Sequence, residues 1–147
     1  MLEDIKYIII PFLALLTAQI IKFSIESVKE KKLKWGRLFN GCGGMPSSHT
    51  TFVFSLTTVI LLEEGYQSPL FAISLVFSMI VAYDAMGLRK ESGNQATMIN
   101  RLIDEMIEQD TKTGFKKLKE QLGHNPSEVV AGIFYGSLFA FLFVSLL

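Results

Sequence analysis

A chain with a single cysteine cannot close a disulfide on itself, and it cannot build a zinc site from thiolates. That cysteine, Cys42, sits in a glycine-rich stretch. A small residue in a tight loop is its first reading, and a reactive thiol its second. Histidine is nearly as scarce, with only His49 and His124. Net charge is missing altogether, since 14 Lys and Arg balance 14 Asp and Glu, so overall charge says nothing about nucleic acid, and no nucleic-acid partner is expected. Charged residues make up only 19% of the chain, and they are excluded from several long runs.

Those runs are what the sequence has in excess. Half of the 147 residues are hydrophobic and mean hydropathy is +0.38, which leans towards a membrane protein of one domain, residues 1–147. Four apolar stretches recur: Tyr7 to Ile21, extendable past Lys22 if that lysine snorkels; Pro46 to Leu62; Gly65 to Tyr83; and Val129 to Leu147. A bilayer core takes about 20 helical residues, so the last two fit well and the first two are at the short end. The alternative is a soluble bundle with an apolar core. Against it, "VVAGIFYGSLFAFLFVSLL" is apolar all round and leaves no face for water. The expected fold is therefore all-α, an integral membrane helical bundle of about four transmembrane helices plus cytoplasmic amphipathic helices. The start, "MLEDIK", is acidic as well as basic with no small-residue cleavage site after it, so the first stretch is expected to be a retained helix.

The basic residues set the orientation. All but Lys6 fall in two segments, one between the first and second stretches (Lys22 to Arg37) and one between the third and fourth (Arg89 to Lys119). The turn "EEGYQS" has none. With four spans the two basic segments share a side, and the positive-inside rule makes that side cytoplasmic. Within the second segment, "QATMINRLIDEMIEQ" and "TGFKKLKEQLG" carry apolar residues at helical spacing opposite charge, as surface-lying amphipathic helices do.

This topology brings both histidines to one face. His49 follows "GGMPSS" where the second span begins, and His124 stands in "LGHNPSE" before the fourth. Pro46 can open the first of these helices. Asn125, Pro126 and Glu128 can cap, start and box the other. Helix N-termini favour an anion, and the surrounding cations make a phosphate the natural one. Two histidines also form a complete chemical pair, one a nucleophile and the other an acid. Glu128, four residues after His124, is one helical turn away and could hold its second ring nitrogen. The blander alternative is two interfacial histidines and a capping glutamate.

Three ordered motifs, "GGMPSSHT", "YDAMGLRKESGNQA" followed by Asn100, and "LGHNPSEVVAG", resemble the divergent, bacterial and plant branch of the type 2 phosphatidic acid phosphatase superfamily, which is related to vanadium haloperoxidases. The resemblance runs from "AQIIK" to "EVVAGIFYG". Pro46-Ser47-Ser48-His49 is similar to the parent's P-S-G-H, which supplies the histidine acid. His124 and Glu128 are similar to its H-x3-D, which supplies the nucleophile and its carboxylate. Lys117 and Leu118 stand where the parent has Ser-Arg, so the phosphate-clamping cations come from elsewhere, with Lys22, Arg89 and Lys90 as candidates.

The resemblance implies a metal-independent lipid phosphatase without cofactor in a bacterial cell membrane. It would hydrolyse a phospholipid phosphate of the phosphatidylglycerophosphate or phosphatidate class at the cytoplasmic leaflet through a phosphohistidine. Its expected catalytic residues are His124, His49 and Glu128. Ser47, Ser48, Lys22, Arg89 and Lys90 would bind phosphate, with Asp84 and Gly44 in support. The alternative from another class is a non-catalytic membrane protein that binds anionic lipid through its basic inner face. Zinc or magnesium at His49, His124, Asp84 and Glu128 is the third option, but these residues come from separate elements with no local ligand spacing. Gly132 and Gly136 form a G-x-x-x-G that fits intramolecular packing and a homodimer equally.

Overall fold

The computed structural model describes residues 2–31, 44–108, 117–118 and 124–146. These form five helices: α1 (Leu2–Glu30), α2 (Ser48–Glu64), α3 (Pro69–Met86), α4 (Leu88–Glu108) and α5 (Pro126–Val144). No strand occurs among the described residues. Three segments are long and apolar enough to cross a bilayer: Ile5–Val28, Pro69–Glu105 and Pro126–Val144. The protein is an integral membrane helical bundle. The remaining long helix, α2, has only 17 residues and is the most enclosed, packing against α1, α3 and α5.

The reason α2 can be central lies in its composition. Its buried residues are nearly all small or hydroxylated: Ser48, Thr50, Thr51, Val53, Ser55, Thr57 and Val59. Within a bilayer, apolar side chains gain nothing by leaving lipid for protein, so helices associate through close van der Waals contact and hydrogen bonds between small residues. The α2–α5 seam takes this to its limit. A Cβ on Gly132 would come 2.7 Å from the Ser47 carbonyl oxygen, and one on Gly136 would come 2.4 Å from that of Thr51. Gly132 and Gly136 are thus used within the chain. The α2–α3 seam is joined by hydroxyls instead, with Thr57 Oγ1 lying 2.8 Å from Ser78 Oγ and 3.2 Å from the Ser74 carbonyl.

Two small apolar clusters fix the helix directions. Ile10, Val59 and Ala140 meet at one end, and Ala82, Ala85 and Val129 meet at the other. So α1 and α3 run one way, while α2 and α5 run the other. Lys6 at the start of α1 pairs with Glu63 at the end of α2, which agrees.

Helix boundaries differ from the sequence reading in three places. Pro46 does not open α2: Ser47 is extended (φ −65°, ψ 117°) and takes the cap position, so the helix begins at Ser48. The first expected amphipathic helix starts earlier, at Leu88, leaving only Gly87 between it and α3. Of "TGFKKLKEQLG" only Lys117 and Leu118 are described, and they are not helical. There the Asn100 side chain replaces the helical ladder, donating to the Leu118 carbonyl (2.9 Å) and accepting from its N–H (2.8 Å). The rest of that stretch, and Cys42, lie outside the described residues.

Candidate active site

The site grows from the N-terminal ends of α2 and α5 and the C-terminal end of α3. The His124 N–H donates to the Ala85 carbonyl (3.1 Å), and the Ser47 N–H donates to the Glu128 carbonyl (2.9 Å). Each bond satisfies a backbone group that a helix end would otherwise leave unpaired in a poorly hydrated place. Together they hold three helix ends in a fixed relation around one side chain, the imidazole of His124.

His124 is buried, and its Nδ1 lies 2.8 Å from Glu128 Oε2. With the carboxylate accepting, Nδ1 is the donor of this pair and Nε2 is the ring nitrogen on the far side of the imidazole. The same Oε2 accepts from the Asn125 N–H at 3.3 Å, the returning arm of a capping box. Glu128 therefore caps its helix and orients a histidine with one oxygen, a double role that the four-residue spacing makes possible.

Beside this pair lies a cavity of about 230 Å³ lined by Lys22, Ile25, Gly44, Met45, Ser127 and Glu128. Lys22 is only 3% exposed, although it belongs to a membrane-spanning helix. A buried lysine in such a setting is costly, and facing a glutamate across a cavity is the kind of arrangement that sustains it. Gly44 brings backbone to the cavity in a left-handed conformation (φ 85°), which a side chain would strain. Of the expected residues, Lys22, Gly44 and Glu128 line this cavity, and His124 is joined to it through its contact with Glu128.

Other expected residues stand apart. Ser47 is fully buried, but its hydroxyl accepts from Thr50 Oγ1 (3.0 Å). Ser48 Oγ is buried without a hydrogen-bond partner among the described residues. His49 is exposed and is not among the cavity-lining residues. Its neighbours Thr50 and Thr51 take the side of α2 that faces Gly132 and Gly136. At 3.6 residues per turn, His49 lies off that seam, about 100° around the helix from Thr50. Asp84 is half-buried near the end of α3. Arg89 and Lys90 fall at the start of α4, and their side chains lie outside the described residues. Among the described residues, no three His, Cys, Asp or Glu side chains gather as metal ligands would.

Residues 4–139 match the family described as the divergent PAP2 family. The chain belongs to that family. It is also 42% identical over 135 residues to the uncharacterized membrane protein YuiD of Bacillus subtilis (strain 168), covering 85% of each chain. No solved structure matches it. In this member of the divergent PAP2 family, two structural residues escaped the sequence reading. One is Ala85, whose carbonyl seats His124, and backbone roles leave no trace in residue type. The other role is that of Asn100, which pins Leu118 six residues before His124. Asn100 belongs to the second motif, so its position was visible, but its partner was not.

Proposed function

We propose that this protein is a lipid phosphomonoesterase acting at the cytoplasmic leaflet through a phosphohistidine on His124. The observation that carries the reading is the 2.8 Å contact from His124 Nδ1 to Glu128, made beside a cavity that Lys22 also lines. In the first step, Nε2 of His124 attacks phosphorus, the N–P bond forms and the ester P–O bond breaks. Glu128 holds the imidazole in the reactive tautomer and stabilises the positive charge it acquires. Lys22 offsets charge on the non-bridging oxygens, where phosphoryl transfer concentrates it. The backbone at Gly44 supplies a close approach.

The leaving alcohol needs a proton, and we assign it to His49, the residue that the P-S-S-H motif points to. His49 then accepts a proton from the water that attacks phosphohistidine, releasing inorganic phosphate and restoring His124. His49 stands at the same end of the bundle as His124 with its side chain exposed, and its ring must turn to the leaving oxygen to act, so the two histidines should be separable by mutation. Phosphatidate and phosphatidylglycerophosphate are the preferred substrates, because both present a terminal phosphate at a membrane surface.

The test is phosphate release from a panel of lipid phosphates by the purified protein, with chelator present, alongside His124→Ala and His49→Ala. Turnover that His124→Ala abolishes supports the mechanism. Undiminished turnover by that variant refutes it, and binding of anionic lipid with no turnover by the wild type favours a non-catalytic lipid-binding protein.

A further inference from the structure

Distinct from the Lys22 cavity, a second, larger concavity of about 700 Å³ is lined by α3, with Phe54 of α2 and Ile133 of α5. Its walls are apolar: Val76, Met79 and Ile80 on α3, Phe54 on α2 and Ile133 on α5, with Tyr83 near one end. The rim residues Val76, Met79, Ile80 and Tyr83 are all more than half exposed, so the groove opens sideways, towards the hydrocarbon of the bilayer.

Two features identify its occupant. The first is length. The groove follows α3 from Leu75 to Met86, and eleven residues of helix rise about 16 Å. That is about half of a ~30 Å hydrocarbon core, the depth of one leaflet. The second is where it ends. Met86 and Ala82 flank Ala85, whose carbonyl accepts the N–H of His124. The groove floor and the seat of His124 share one packed cluster, Ala82, Ala85 and Val129 with Phe54, Met86 and Ile133 against it. Tyr83, with an apolar ring and a polar tip, stands at the interfacial end where such rings reside.

We propose that this groove seats an acyl chain of the same lipid whose phosphate reaches His124, so that α3 and α5 select substrates by their hydrocarbon as well as their headgroup. The proposal rests on the phosphatase reading for the identity of the headgroup. It makes Met79, Ile80 and Val76 specificity-determining residues for a lipid phosphomonoester of one leaflet.

The experiment uses a non-hydrolysable phosphonate analogue of phosphatidate carrying a diazirine midway along one acyl chain, illuminated with the full-length protein in phosphatidylcholine vesicles. Adducts should concentrate on α3 residues 75–86, Phe54 and Ile133, and unlabelled phosphonate should displace them while added phosphatidylcholine does not. Met79→Trp, and independently Ile80→Trp, should lower the ratio of phosphate release from long-chain over short-chain phosphatidate about tenfold. Leu16→Trp, on the lipid-facing side of α1, should leave that ratio unchanged.

Adducts spread evenly over lipid-facing positions, or not displaced by phosphonate, overturn the proposal in favour of boundary lipid or a contact between two copies. An unchanged ratio in both α3 variants also overturns it. Displaceable groove adducts without phosphate release by the wild type would refute the phosphatase reading and leave the acyl groove standing. Release of phosphate with undisplaced adducts would refute the groove alone.

Discussion

Each end of the bundle brings a lysine of α1 towards a glutamate, and the two arrangements differ in kind. At one end Lys6 and Glu63 touch directly, partly exposed, where α1 starts and α2 finishes. At the other, Lys22 and Glu128 line a cavity, and the Glu128 Oε2 is engaged by His124 and the Asn125 N–H. The first is a direct ion pair that leaves no space between its partners. The second surrounds space, with a histidine held by the glutamate and two helix N-termini beside it. A closed pair fastens helices, whereas an open pair with a histidine can hold something and act on it.

The largest expected effect breaks the two ends apart. His124→Ala should abolish phosphate release from lipid phosphate, and Glu128→Gln should lower kcat about 10²-fold or more, because the imidazole loses its charge partner while keeping a hydrogen-bonding neighbour. Glu63→Gln, at the other end and away from His124, should leave kcat within about twofold (on the order of 0.4 kcal/mol). Rates of malachite-green phosphate release in detergent micelles measure all three. Equal losses in Glu128→Gln and Glu63→Gln would mean that the difference between the ends is not functional.

Next comes Lys22→Met, which keeps the apolar stem and removes the charge. It should cost about 10²-fold in kcat/KM, the scale on which a single stabilising donor acts in a transition state. Lys6→Met should change kcat/KM by less than about twofold. His49→Ala sharpens the comparison within the reactive end. An acid supplied from the exposed side of α2 should matter less than the nucleophile, so residual turnover in His49→Ala is expected to exceed that of His124→Ala. If both vanish equally, the first turn of α2 must bring His49 to the phosphate during the reaction.

Much of this was legible in the sequence, and the reasons are physical. Apolar runs betray spans because a bilayer demands about 20 residues of one character. The His124–Glu128 contact was legible because residues four apart on a helix are neighbours whatever surrounds them. Lys22 could be placed at the same end as His124 because topology alone decides which helix ends lie together. The outlook of His49 was not legible, since it depends on which side of α2 meets α5. That is settled by Gly132 and Gly136, more than 80 residues away. The fate of the G-x-x-x-G was open for the same reason: small residues permit close approach without naming a partner. The Asn100–Leu118 clamp joins residues 18 apart through backbone groups, and no periodicity encodes it.

The seam that aims α2 can itself be tested. Gly136→Leu must displace the Thr51 backbone, since even a Cβ would sit 2.4 Å from its carbonyl oxygen. Overpacking of this sort costs about 1–3 kcal/mol, and more where backbone must move. A lowered unfolding temperature in detergent, with loss of activity, is the expected result. Gly65→Ala, at a turn with open space beyond the glycine, should spare activity and lower stability through its left-handed φ of 80° alone.

The smallest effect concerns the hydroxyls joining α2 to α3. Thr57 Oγ1 has Ser78 Oγ at 2.8 Å, the Ser74 carbonyl at 3.2 Å and, within its own helix, the Val53 carbonyl at 3.0 Å. One hydroxyl proton cannot serve two carbonyls at once, so Thr57 can donate within α2 and still accept from Ser78. Ser78→Ala then removes one interhelical bond and leaves the Thr57 proton placed. Thr57→Val removes the acceptor and strands the Ser78 hydroxyl, which must turn back to its own helix carbonyls. Interhelical hydrogen bonds inside membranes average about 0.6 kcal/mol because the separated helices find local partners too. Both variants should therefore lose stability on that small scale, Thr57→Val slightly more, with activity retained. A loss several times larger, measured by unfolding in mixed micelles, would show that the hydroxyl seam, and not the glycine seam, holds the bundle in register.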